Sequence, residues 1–138
     1  MENKITTPWS TVGYLTYKRT YSRRLNASDP NSPTEEFEDT VNRVIEASNN
    51  QLGCNFNEDE KARLKGYLLG LKGTVAGRFL WQLGTDTVGK LGLSSLQNCA
   101  FTVVDKPIEP FVWAMDLLML GSGVGYNIQR KNIDKLPP

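Results

Sequence analysis

At 138 residues the chain is long enough for one ordinary domain with a sizeable core, and its 39% hydrophobic and 22% charged content is close to that of soluble globular proteins. A net charge of +1 gives no global electrostatic case for nucleic acid or an anionic membrane, and no apolar run approaches the roughly 20 residues that span a bilayer. Histidine is absent, which excludes Cys–His and Ser–His pairs and imidazole metal sites assembled within the chain. The opening Met1–Thr6 lacks the apolar core of a secretory signal. Cys54 and Cys99 lie far apart and form no CxxC, a usage that fits a cytoplasmic chain with free thiols better than a disulfide scaffold.

From Trp9 to Leu25, Tyr14, Tyr17 and Tyr21 alternate with Lys18, Arg19, Arg23 and Arg24. Aromatics interleaved with cations can bind single-stranded nucleic acid by stacking and phosphate contact. The same pattern suits a short helix or extended arm that packs its rings and leaves its charges in water, and the near-neutral remainder of the chain favours this. Asn26–Asn31 is a polar turn, marked by Asp29-Pro30. Ser32-Pro33-Thr34-Glu35 then reads as a helix start, with serine as cap, proline in the first turn and Glu35 as the capping-box acid. Phe37, Val41, Val44 and Ile45 make one apolar helical face, ended by Ser48-Asn49-Asn50. Cys54 follows in a loop between Leu52 and Phe56, where a small semi-buried side chain is expected.

A second helix opens with Asn57 as cap and Glu60 three residues on. Leu64, Tyr67, Leu68 and Leu71 form its stripe, and Gly73 suits a left-handed end. Gly77–Thr85 is a short apolar piece punctuated by glycines, and Thr85–Gly92 reads as loop. Leu96–Val104 has strand composition, with Cys99, Phe101 and Val103 on one side. Pro107–Pro110 begins a helix carrying Phe111, Val112, Met115, Leu118 and Met119, apolar most of the way round and so expected to be buried. Gly121 ends it, and Gly125–Gln129 reads as the next strand.

The result is strand, crossover helix, glycine loop and strand, with a thiol at one end. Gly121-Ser122-Gly123-Val124-Gly125 invites a phosphate-loop reading, because clustered glycines let backbone N–H groups approach an anion. A dinucleotide fold, however, places its glycine loop between a strand and the helix that follows; here a helix precedes and a strand follows. There is no GK[ST] either. Two readings stand for this loop: a tight helix-to-strand turn, and a ligand contact. For Cys99 they are a small buried hydrophobe and a reactive thiol.

Five segments in order carry a resemblance: Thr16–Arg23, Glu38–Val44, Gly77–Thr85 (GRFLWQLGT), Ser95–Phe101 (SLQNCAF) and Gly121–Asn127 (GSGVGYN). Together they resemble the N-terminal region of adenosylcobalamin-dependent (class II) ribonucleotide reductases. The resemblance implies an α/β fold in which a helical N-terminal region, 1–92, leads into the first strands of a ten-stranded α/β barrel, 93–138. It implies that Cys99 is the N-terminal member of the redox cysteine pair, which lies beneath the ribose and becomes a disulfide as the 2′-hydroxyl leaves. Asn98, Gly121, Ser122 and Gly123 then line the substrate site, and Thr85 matches a threonine that contacts substrate phosphate.

The family's radical-bearing cysteine, second redox cysteine and nearby carboxylate have no counterpart in the chain, and Cys54 lies in none of the matching segments. The expectation is an N-terminal piece that is inactive until joined to a complementary C-terminal reductase polypeptide. Its expected substrate is a ribonucleoside di- or triphosphate, its cofactor adenosylcobalamin and its reductant a thiol protein such as thioredoxin, with no metal ligands, membrane or direct nucleic-acid partner. Alternatives are a standalone nucleotide-binding or regulatory remnant, and a small nucleic-acid-binding protein working through residues 9–25.

Overall fold

The first helix forms where aromatics and cations alternate. In the computed structural model, which describes residues 9–137, Thr11–Thr20 is α1, started by Ser10, whose hydroxyl accepts from the Gly13 N–H at 3.2 Å. The helix lays Tyr17 against Phe37, with ring centroids 5.4 Å apart, and Trp9 packs on both, at 5.0 and 4.4 Å. Phe37 opens α2, Phe37–Leu52, whose buried face includes Val41, Val44 and Ile45 as its spacing predicts. Leu68 and Leu69 of α3, Glu58–Leu69, close this core from the other side. Of the charges on α1, Arg19 is exposed, while Lys18 is half-buried and reaches the Glu36 carboxylate at 3.1 Å.

The start of α2 differs from expectation. Ser32 does not cap it: its hydroxyl instead accepts from the Asn26 N–H at 2.9 Å, and Thr34 bridges antiparallel to Arg24. Glu36 is the cap, answered by Asp39. Glu35 is drawn inward to a more demanding partner. It is 5% exposed and receives Arg43 through both oxygens, from Nε at 2.6 Å and Nη2 at 2.9 Å. Thr40 Oγ1 donates to the same carboxylate at 2.7 Å, and the Glu35 carbonyl accepts from Ser22, Tyr17 and Lys18. A four-residue shift of the cap, from Ser32 to Glu36, thus turns a surface capping acid into the centre of a buried network.

Smaller differences follow the same logic. Helix α2 runs through Leu52 and ends on Gly53 at φ +69°, past the Ser48–Asn50 stop. Cys54, expected half-buried, is exposed, because the Gly53 turn carries the chain off the core. Asn57 and Glu60 form their capping box at the head of α3. Its left-handed end residue is Leu71, at φ +52°, rather than Gly73, since the helix stops at Leu69 and the Leu71 and Lys72 N–H groups turn back to Leu68 and Tyr67. Tyr67 and Leu71 of the expected stripe are exposed. Gly77–Gln82 is helix α4. The expected loop at 85–92 contains helix α5, Asp86–Leu91, where Asp86 brings negative charge to the first turn.

Residues 1–85 and 86–138 form two compact units. This places α5 with the second unit, whereas the sequence division at 92/93 places it with the first. In the second unit a short 3₁₀ turn, Leu93–Leu96, leads to β1, Cys99–Val103, then helix α6, Glu109–Met119, strand β2, Gly123–Asn127, and helix α7, Arg130–Ile133. The strands pair in parallel, from Cys99 opposite Gly123 to Val103 opposite Asn127. Strand β2 begins at Gly123 rather than Gly125. It ends at Asn127, whose Oδ1 accepts from the Gln129 N–H and the Asn132 side chain, at 3.0 and 3.1 Å. Helix α6 is not buried as its composition suggests. Only Pro110 and Ala114 are covered, while Phe111, Val112, Trp113, Met115, Leu118 and Met119 are exposed, because two strands cover a single strip of a helix that is apolar on several. Among the described residues no helix is long and apolar enough to cross a membrane.

The buried pair makes a pH prediction. Burial works to raise the Glu35 pKa, but the hydrogen bonds from Arg43 and Thr40 and the guanidinium charge outweigh it and hold the group below its ordinary value. A depressed folded-state pKa contributes stability above the ordinary glutamate range, and this is lost as pH falls through that range towards the folded value. Urea midpoints should therefore drop between about pH 5 and pH 3, and Glu35→Gln should flatten that part of the profile. Arg43→Ala, which strands the buried carboxylate, should cost about 3–5 kcal/mol at pH 7 by the same measurement.

Candidate functional site

Two backbone devices gather the predicted residues of the second unit. Gly121, at φ +85°, stops α6: its N–H donates to the Leu118 carbonyl at 2.8 Å and that of Ser122 to Leu117 at 3.0 Å. This crossed pair is a Schellman motif, and the left-handed residue it needs is the physical reason for Gly121. Ser122, only 3% exposed, then donates its hydroxyl to the Gln97 carbonyl at 2.6 Å, and the Gly123 N–H donates to Asn98 O at 2.9 Å. The turn is thereby tied to the two residues ahead of Cys99, and β2 starts directly opposite that thiol.

Asn98, Cys99, Gly121, Ser122 and Gly123 therefore meet at one end of the two-stranded sheet. Thr85 belongs to the first unit, where its N–H and hydroxyl both donate to the Gln82 carbonyl, at 3.0 and 2.7 Å. Among the described residues, the single buried side-chain oxygen or nitrogen without a hydrogen-bond partner is Oε1 of the same Gln82.

The loop is a tight helix-to-strand turn. Its N–H groups at Gly121, Ser122 and Gly123 are committed to carbonyls of the chain, so they do not form the open cradle that a phosphate loop presents. What the turn offers a ligand is bare backbone. Gly123 and Gly125 stand opposite Cys99 and Phe101, and a Cβ there would meet nothing nearer than 3.8 and 4.0 Å. Nothing within the chain requires these two positions to be glycine; their smoothness leaves the strand face beside Cys99 open to close approach.

Cys99 is exposed, and the reading of it as a buried small hydrophobe is set aside. Phe111 of α6 packs on Tyr126, centroids 5.6 Å apart, so the helix covers the Thr102–Tyr126 side of the sheet. Alternation then puts Cys99 and Phe101 on the face turned away from α6; the sequence pattern predicts that they share a face. An open groove of about 460 Å³ runs by Gln97, Cys99, Ala100, Phe101, Trp113 and Leu117. Trp113 and Leu117 are additions that sequence reasoning missed; an apolar helix gives no sign of which residues reach past the sheet edge. Also missed is the Glu35–Arg43 network, whose only sign is an acid just ahead of a helix with an arginine eight residues later.

Residues 1–85 match the ribonucleotide reductase alpha domain family, the span of the first compact unit. The chain belongs to the ribonucleotide reductase family. It is 33% identical to the adenosylcobalamin-dependent ribonucleoside-triphosphate reductase of Lactobacillus gasseri, over 99% of this chain and 22% of that protein. The enzyme of the same description from Lacticaseibacillus paracasei is also 33% identical, over 100% of this chain and 22% of the relative. A crystal structure of a B12-dependent (class II) ribonucleotide reductase superposes with a TM-score of 0.74 at 32% identity, covering 96% of this chain and 22% of that one. The chain thus spans about a fifth of the length of the relatives it matches.

The turn gives a direct test. Gly121→Ala forces a side chain into the left-handed region and should lower stability by about 1–2 kcal/mol, read from thermal or urea unfolding. Gly123→Ala, at an unstrained position with space for a methyl group, should cost less than half as much. In the native chain both Cys54 and Cys99 should react with a thiol reagent without denaturant.

Proposed function

We propose that this chain supplies the N-terminal share of an adenosylcobalamin-dependent ribonucleotide reductase, which converts ribonucleoside triphosphates to deoxyribonucleotides by thiyl-radical chemistry. The observation that carries this reading is the placement of Cys99: an exposed thiol heading a parallel strand, on the face away from the helix and opposite Gly123. The order of matching segments along the chain agrees with it.

In this reading β1 and β2 are the first strands of the family's ten-stranded barrel, and the sheet face bearing Cys99 looks into it. A cysteine thiyl on the remaining polypeptide removes the ribose 3′-hydrogen and returns it to C3′ once the 2′-position is reduced, which regenerates the thiyl. The C2′–O bond then breaks and the hydroxyl leaves as water. Cys99 and a second cysteine of that polypeptide supply two electrons and two protons and become a disulfide, which an external dithiol of the thioredoxin type reduces. Asn98 and the Gly121–Gly123 turn let the ribose approach the backbone, and Thr85 contacts its phosphate. Adenosylcobalamin would supply the initiating radical when bound, and its contacts belong mainly to the rest of the polypeptide.

The open edges of β1 and β2 and the apolar surface of α6 are where the remaining barrel would pair and pack. The working compartment is the cytoplasm, where thiols stay reduced.

The deciding experiment mixes this chain with a polypeptide carrying the missing barrel cysteines and measures adenosylcobalamin-dependent nucleotide reduction. Activity should need both chains and should fall to background with Cys99→Ser, while Cys54→Ser retains it. A chain that binds no such polypeptide and stays a soluble monomer would instead be a standalone nucleotide-binding or regulatory remnant.

A further inference from the structure

Arg43 does more than neutralise Glu35. Its guanidinium also donates through Nη2 to the Leu80 carbonyl at 2.9 Å and through Nη1 to the Leu83 carbonyl, two acceptors at the C-terminal end of α4. A cation there satisfies carbonyls that the helix leaves orphaned and meets the negative end of its dipole. The next residue, Gly84, sits at φ +80°, and a Cβ on it would lie 2.6 Å from Arg43 Cγ and 3.0 Å from Ala47 Cβ. Its N–H donates to Gln51 Oε1 at 3.1 Å. The backbone of Leu83 and Gly84 is thus strapped along α2 by Arg43 and Gln51, and it delivers the chain straight to Thr85.

We infer that Arg43, held by Glu35, is a positioning residue that presets the Thr85 hydroxyl for a substrate phosphate; this rests on the phosphate role proposed for Thr85. In the free chain that hydroxyl donates to the Gln82 carbonyl. A phosphate oxygen takes over the donation by a turn about the threonine χ1, and the Gln82 carbonyl keeps the Thr85 N–H, so the exchange leaves no backbone acceptor orphaned. Such a swap gains affinity only if the backbone carrying Thr85 is already fixed, and the fixing groups are the Arg43 fork and the Gln51 amide. Lysine, a point charge without the planar fork, cannot hold the carboxylate and two carbonyls together.

The test is an NMR titration of the full 138-residue chain with ATP, followed at the Thr85 amide. A saturable shift is expected, with affinity reduced about tenfold by Thr85→Val and by a similar factor by Arg43→Lys. The double variant should be no weaker than either single one, because both remove the same contact. Gln51→Leu, at an exposed position where folding is not at risk, should weaken binding about threefold. Val41→Ala, in the core of the same unit, should lower Tm while leaving affinity unchanged. If Arg43→Lys lowers Tm but binds ATP like the parent while Thr85→Val does not, Arg43 is merely structural and the inference is overturned. If Thr85→Val has no effect, or Thr85 shows no saturable shift, the phosphate role of Thr85 fails and the inference falls with it.

Discussion

The first unit depends on one ion pair. Glu35 and Arg43 are both largely withdrawn from water, an arrangement worth having only if each charge is fully engaged. Here the carboxylate accepts from Arg43, Thr40 and the Arg23 N–H, and the guanidinium spends its remaining donors on α4. The Glu35 carbonyl ties in Tyr17 and Ser22, so α1, the 21–35 connection, α2 and α4 all meet around Glu35 and Arg43. The aromatic cluster of Trp9, Tyr17 and Phe37 packs non-directionally, whereas the ion pair fixes register. Tyr17 belongs to both; burial pushes its hydroxyl pKa up to about 12, so it remains a neutral donor at any working pH.

The second unit is organised by backbone economy. A parallel strand pair needs a crossover, and α6 supplies it with a sharp stop at Gly121. The buried Ser122 hydroxyl and the Gly123 N–H then lock the exit of the helix to the entrance of β1. These bonds to the Gln97 and Asn98 carbonyls, made directly after the helix end, set Cys99 beside Gly123. They also explain why a glycine-rich loop here presents no anion cradle: its donors are used in making the turn.

What surrounds this unit is as informative as what fills it. Phe101, Trp113, Met115 and Met119 are exposed, and a two-stranded parallel sheet has no covered edge. All-parallel sheets are otherwise found with both faces covered. In the proposed function, the burial that α6 advertises in its composition comes from the remaining barrel; the chain spans 22% of the reductases it resembles.

Much of this was legible in the residues. The apolar spacing of Phe37, Val41, Val44 and Ile45, the Asn57–Glu60 box, the order of strand, helix, glycine turn and strand, and the sharing of one side by Cys99 and Phe101 all follow from local periodicity and capping chemistry. So does the family, because its segments keep their order. Tertiary structure alone decided the rest. Glu35 leaves the capping role its sequence position suits because a buried arginine binds it through two oxygens, a contact between residues that no local rule pairs. Cys54 is lifted off the core by a left-handed Gly53, and the N–H groups of Gly121–Gly123 are consumed by carbonyls at 98, 117 and 118. Periodicity reports which face a residue occupies; which partner waits there depends on segments far away in the chain, and only the folded structure supplies it.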